Sequence, residues 1–294
     1  MPENATNETV SAGRLVDTLF GPRAEDGRTA RQRAAADEEL PDYLFNVPDD
    51  ASQAGLPLIR VAHYRPKTIV QEDVAGLIPY LDELALFERR WGFVKQAGDR
   101  ESWCARMDAE AVPVLERLTG LCRERRLLHP RALYAYFYAA AQGETLRLYR
   151  ENKRDVFLSV DFPRLKNGAC AVDRIARADS GVFDTVAAVA VNMGRSATEL
   201  AKSWLNAGKD VDYRFLNGFA LESAEAMIRL AAARIAREEC CLGDVHFLGT
   251  AKTGDPAVQS ALIKMLNAGA IDIAFSRNYL MMPEYSALAL VFPR

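Results

Sequence analysis

Apolar residues recur along the chain in two alternating rhythms. Leu77, Tyr80, Leu81, Leu84, Phe87 and Trp91 fall at helical spacing, which predicts a helix over 77–91 with Pro79 in its first turn. Val112, Leu115, Leu118 and Leu121 predict a second helix, trailed by Arg123, Arg125 and Arg126. Ala132 to Tyr138 and Leu146 to Tyr149 read as strands around a Gln142-Gly143 turn. Val156 to Val160 reads as a further strand, and the β-branched run Thr185 to Val191 as a buried one. Helices are predicted over Ala197 to Asn206, Phe219 to Ile235 and Ala257 to Leu266, the last stopped by Gly269 as a C′ glycine. Strands at Ile271 to Phe275 and Ser286 to Phe292 close the pattern.

Strands arrive partly as hairpins and partly between helices, without regular β-α-β units. This predicts an α+β fold, a mixed domain with a mostly antiparallel central sheet flanked by helices. Residues 1–55 depart from the pattern. They are rich in Ala, Arg, Asp and Glu, with turn formers at Pro41, Pro48, Asp49 and Asp50. Such a stretch buries too little apolar surface to offset its ordering entropy unless it docks on something. It is expected to be a flexible N-terminal extension, with Leu40, Tyr43, Leu44, Phe45 and Val47 as a short cluster suited to docking. Residues 56–294 are expected to form the folded domain.

Composition narrows the function classes. The 294 residues carry a net charge of -3, with 49% hydrophobic and 26% charged positions. That balance describes a soluble globular chain and disfavours binding driven by nucleic-acid phosphates. No apolar run reaches the roughly 18 residues of a membrane helix, and Met1 to Val10 is polar, so a cytoplasmic protein is expected. The five cysteines form no paired framework and read as reduced thiols, including the vicinal Cys240-Cys241. P-loop, Gly-x-Gly-x-x-Gly, His-Glu-x-x-His and Gly-x-Ser-x-Gly motifs are absent. With only His63, His129 and His246, a histidine metal centre would need all three to converge. Asp244-Val245-His246-Phe247-Leu248-Gly249 spells Asp-x-His-x-x-Gly, a pattern in which histidine ligates the cobalt of a cobalamin. It follows a helix end rather than a strand, and no Gly-Gly follows it, so its context argues against that role.

A longer set of segments is more specific. Leu77-Ile78-Pro79-Tyr80-Leu81-Asp82, Arg131 to Phe137 with Gly143-Glu144, and Phe162-Pro163-Arg164 occur in order. Cys170-Ala171-Val172-Asp173, Ser180-Gly181 with Asp184, and Tyr279 to Pro283 with Ser286 follow. Together they resemble the activation domain of cobalamin-dependent methionine synthase, colinearly over about 230 residues. The resemblance implies S-adenosylmethionine (AdoMet) as cofactor, with cobalamin reached only through a partner protein. It places Asp82 and Glu225 at the acidic positions of the AdoMet site. Read from the residues alone, Asp82 is equally an exposed helical residue, and Glu225 an i,i+4 partner of Arg229.

One part of that site differs. Where the family has Arg-x-x-x-Gly-Tyr before Gly-Asp, this chain has Leu248-Gly249-Thr250-Ala251-Lys252-Thr253 before Gly254-Asp255. Lys252 is the residue there that would supply a cation. Thr-Glu-Ser becomes Ser276-Arg277-Asn278, and a tyrosine position falls at Val291. The resemblance implies a stand-alone reactivation subunit for a separate corrinoid-binding methyltransferase in methionine synthesis. It would draw an electron from a flavodoxin or ferredoxin-like donor. The alternatives are a non-catalytic corrinoid-protein binding module that no longer binds AdoMet, and a remodelled cleft for a different small ligand.

Overall fold

The computed structural model describes residues 68–93, 100–248, 256–276 and 280–293. The expected boundary near residue 55 lies outside them. A central sheet is built from β1 (Thr68–Gln71), β2 (Arg131–Gln142), β3 (Thr145–Tyr149), β4 (Val156–Asp161), β5 (Asp184–Asn192), β6 (Leu242–Leu248) and β9 (Ser286–Pro293). Their order is β4-β3-β2-β5-β9-β6, with β1 also pairing β2. Every ladder is antiparallel, as the α+β reading expected. Strands β1 and β3 share one edge of β2: Thr68 lies opposite Tyr134, and further along Tyr149 lies opposite Tyr138. A separate two-stranded ladder joins β7 (Ala274–Phe275) to β8 (Met281–Met282).

Both faces of the sheet are covered. Leu133, Ala135 and Phe137 of β2, Val186, Ala188 and Ala190 of β5, and Leu288, Leu290 and Phe292 of β9 form one layer. Tyr134, Tyr136, Ala187, Val189, Val191, Ala289 and Val291 form the other. Strands buried on two faces lose polar alternation, which is why Thr185 to Val191 reads as an unbroken apolar run. The helices are α1 (Arg100–Glu110), α2 (Val112–Glu124), α3 (Ser196–Asn206), α4 (Asp210–Glu238) and α5 (Pro256–Leu266). The 29-residue α4 packs across the Tyr134 face and touches β2, β5, β6, β9 and α3. On the opposite face α5 meets β2, β4 and β5. Among the described residues no helix is long and apolar enough to cross a membrane.

Several elements differ from the sequence expectation. The helix over 77–91 is two pieces: a 3-10 helix over Val74–Tyr80 and a second turn ending at Arg90. Pro79 sits at the end of the first piece, where it disfavours a helical residue before it. Leu81 is extended, and the Asp82 Oδ1 accepts from the Ala85 N–H at 2.8 Å to start the second piece. Helix α5 ends at Leu266 as expected, but the left-handed residue after it is Asn267 (φ 53°) rather than Gly269. Residues Ala268–Ile271 then form a 3-10 turn, leaving only Ala274–Phe275 extended. Strand β6 is an element the pattern did not show, because Gly243, Asp244 and His246 interrupt its apolar positions at a half-buried sheet edge.

Candidate functional site

The site is laid out along one stripe of α4. Phe215, Gly218, Glu222, Glu225 and Arg229 follow one another at steps of three and four, so they share a helix face. Residues 80–93 run against that stripe. Ala85–Arg90 winds as a single π-turn, with the Trp91 N–H donating to the Leu86 carbonyl at 2.9 Å. A π-turn inserts one residue into the ladder, which rotates the following side chains by about 100°. Trp91 is thereby seated on Phe215 (ring centroids 5.2 Å) and donates Nε1–H to the Phe215 carbonyl at 3.0 Å. Arg90, one residue earlier, reaches the two glutamates.

Gly218 makes this approach possible. A Cβ there would lie 2.8 Å from Trp91 Cδ1 and 3.0 Å from Arg90 Cβ. Gly218→Ala is therefore expected to destabilise the fold by about 1–3 kcal/mol, although alanine is the better helix former. Urea unfolding checks this, and a stabilised variant would contradict the close contact.

Arg90, Glu222, Arg229 and Glu225 form a closed ring of alternating charges. Arg90 donates from Nε to Glu222 Oε2 at 2.9 Å and from Nη2 to Glu225 Oε1 at 2.5 Å. Arg229 donates from Nη1 to Glu222 Oε1 at 2.8 Å and from Nη2 to Glu225 Oε2 at 3.2 Å. Glu222 is wholly buried and also accepts the Asp82 N–H at 3.2 Å. Arg229 is further held by the Tyr80 carbonyl at 3.0 Å and lies 5.6 Å from the centre of the Phe247 ring on β6. Such charge-assisted pairs are the stronger hydrogen bonds of a protein, and burial makes their completeness matter.

The structure thus brings Asp82 and Glu225 to one cluster, joined through Glu222. Both carboxylates have partners, and both keep some exposure. Asp82 caps the turn with Oδ1, and its Oδ2 lies 3.7 Å from Arg89 Nη2. Glu225 has both oxygens paired with arginine, one of them the i,i+4 partner Arg229. Lys252 lies outside the described residues, as do Arg277 and Asn278. Val291 is fully buried in β9 between Ala187 and Val245, so no side chain there faces a ligand. As the ring stands, Glu225 already holds two resident cations, so a further cationic group there has to displace one of them.

Sequence reasoning missed Glu222 and Arg90. The signal for Glu222 was present, since it shares the stripe of Glu225 and Arg229. Arg90 carried no signal, because a regular helix through 77–91 would point it elsewhere.

Other singled-out residues have structural roles. Arg164 joins three of the colinear segments: it meets Glu144 at 3.1 Å, Asp173 at 3.2 Å and the Gly168 carbonyl at 2.8 Å. The Cys170 N–H and the Arg164 guanidinium hold the Asp173 carboxyl below its usual range. Beside them the β2–β3 turn and residues 172–179 enclose an open groove of about 620 Å³, where Arg177 pairs with Asp179 at 2.7 Å. His246 stacks on Phe292 at 4.4 Å and meets Asp244 at 3.1 Å. All five cysteines are free, and burial pushes the Cys122 thiol up to about 12. Among the described residues no group of three or more His, Cys, Asp or Glu is placed to hold a metal.

The architecture defines the chain as an antiparallel α+β domain with one long helix crossing the sheet. Its fold is similar to that of the MetH reactivation domain, solved bound to AdoHcy. That likeness has a TM-score of 0.62, covers 79% of each chain and carries 17% sequence identity. No protein-family model and no curated protein matches the sequence.

Proposed function

We propose that this chain is a stand-alone reactivation subunit that acts on a separate corrinoid methyltransferase. There it supports AdoMet-dependent reductive remethylation of cob(II)alamin in methionine synthesis. The observation that carries this reading is the reactivation-domain fold, shared along 79% of each chain. The colinear segments from Leu77 to Ser286 support it independently. The chemistry belongs to the cofactors: AdoMet supplies the methyl group, and a flavodoxin or ferredoxin-like donor supplies the electron. The part left to this chain is to dock on the corrinoid protein, position it and exclude water.

The closed ring favours a second reading, in which the chain keeps the corrinoid-protein interface without receiving AdoMet at Asp82 and Glu225. One experiment separates the two. The purified chain is mixed with a corrinoid protein loaded with cob(II)alamin, AdoMet and a chemical reductant, and the cobalt spectrum is followed. Methylcobalamin formation that requires the chain is the outcome expected of the first reading. A stable complex without methylation supports the second. Absence of both complex and methylation would sink the two together.

A further inference from the structure

The two arginines of the ring are not held equally. Arg229 is fixed by Glu222, Glu225, the Tyr80 carbonyl and the Phe247 ring. Among the described residues Arg90 has the two carboxylates as its polar partners. The two glutamates differ as well: the Glu222 side chain is 0% exposed, whereas that of Glu225 is 32% exposed. The member of the ring that a ligand can reach is therefore Glu225, and of its two cations Arg90 has fewer other partners to hold it in place, although its contact with Glu225 is the shorter. Two arginines against two glutamates leave the ring without net charge, so it exerts little pull on a further cation. Withdrawal of Arg90 leaves one negative charge in excess, centred on the accessible carboxylate. Arg90 also ends a π-turn, a distortion often found at functional positions in helices.

We propose that Arg90 is a resident counter-ion that closes Glu225 to cationic ligands. A small molecule bearing an ammonium or sulfonium group binds at Glu225 only when Arg90 is displaced. Competition of this kind lowers the apparent affinity by the fraction of molecules in which the carboxylate is open. Arg90 then decides which ligand class the cleft accepts, and any process that draws the π-turn away from α4 opens the site. The inference takes AdoMet as its probe from the function proposed above. Its test uses the isolated full chain, so docking on a corrinoid protein is measured separately and fails or succeeds on its own.

AdoMet is titrated calorimetrically into the wild-type chain, Arg90→Met, Arg90→Gln, Arg90→Lys and the double variant Arg90→Met/Glu225→Gln. Circular dichroism and thermal unfolding establish that each is folded. Arg90→Met and Arg90→Gln are expected to bind at least about tenfold more tightly than wild type, the equivalent of one recovered charge-assisted contact. Arg90→Lys keeps the cation and is expected to stay closed. The gain is expected to vanish in the double variant. Folded Arg90→Met and Arg90→Gln proteins with no increase would overturn the proposal. So would a gain that survives Glu225→Gln, or the failure of both single variants to fold, which would make Arg90 a structural clamp.

Discussion

Glu222→Ala is expected to lower the unfolding free energy by about 3–5 kcal/mol, the range for removing one partner from a buried ionic network. Three donors converge on this one carboxylate: Arg90 Nε, Arg229 Nη1 and the Asp82 N–H. Its side chain has no exposed surface. Alanine would leave both guanidinium groups to share Glu225 and strand the Asp82 N–H at the start of the π-turn. Glu225→Ala provides the internal comparison. Its side chain is partly exposed, so water can hydrate the released arginines, and the expected loss is only about 1 kcal/mol. Combining Glu222→Ala with Arg90→Met should cost less than the sum by about 0.5–3 kcal/mol, because the two side chains share one contact. Urea unfolding of the wild type, Glu222→Ala, Glu225→Ala, Arg90→Met and the double variant checks both statements. If Glu222→Ala proved no worse than Glu225→Ala, the ring would not be the buried network described.

The sheet was legible because its strands are apolar on both faces and bounded by recognisable turns. Gln142-Gly143 reverses the chain between β2 and β3 with Gly143 at φ 62°, a conformation glycine adopts without strain. The Thr185 to Val191 run could hardly be anything but a central strand. Strand β6 was not legible, since an edge strand tolerates Gly243, Asp244 and His246 at its half-buried positions. The same residues that hid the strand produced the Asp-x-His-x-x-Gly pattern. In the fold, His246 has its ring packed on Phe292 and near Phe162. The end of α5 at Leu266 was legible, but the left-handed residue that follows it is Asn267 rather than Gly269, because asparagine is the other residue that accepts this backbone.

The candidate site was half legible. Glu225 could be read with its i,i+4 partner, and extending the same spacing by one step reaches Glu222. What no periodicity supplies is the break at Leu81 and Asp82, followed by the π-turn. Together these turn a predicted amphipathic helix into a segment that lays Trp91 on Gly218 and Arg90 between two acids. Hydrogen-bond ladders of this kind depend on tertiary partners, here a glycine on another helix 128 positions after Arg90. The structure brings the two carboxylates that the resemblance named to one cluster, and shows arginines already paired with them.

A second polar knot lies near the other end of α4. It is expected to govern how the fold responds to alkali. Tyr134 and Tyr136, neighbours on one face of β2, both donate to Glu238, at 2.7 and 2.8 Å. Burial pushes the Tyr134 hydroxyl up to about 12, and the Glu238 carboxylate adds to the shift. Tyr136 is raised further for the same reasons. A phenol with a folded pKa above its unfolded value of about 10 holds its proton more tightly in the native state. Stability is then unaffected below pH 10 and falls as pH rises from there through the folded value. Glu238→Gln keeps an acceptor but removes the charge, so the Tyr134 ionisation midpoint should move down, as read by absorbance at high pH. Glu238→Ala removes the acceptor as well. It is expected to destabilise the protein by about 1–3 kcal/mol for each buried hydroxyl left without one. Equal stability of Glu238→Ala and wild type at neutral pH would mean that both hydroxyls find water instead. The end of α4 would then be tied to the sheet by its apolar contacts alone.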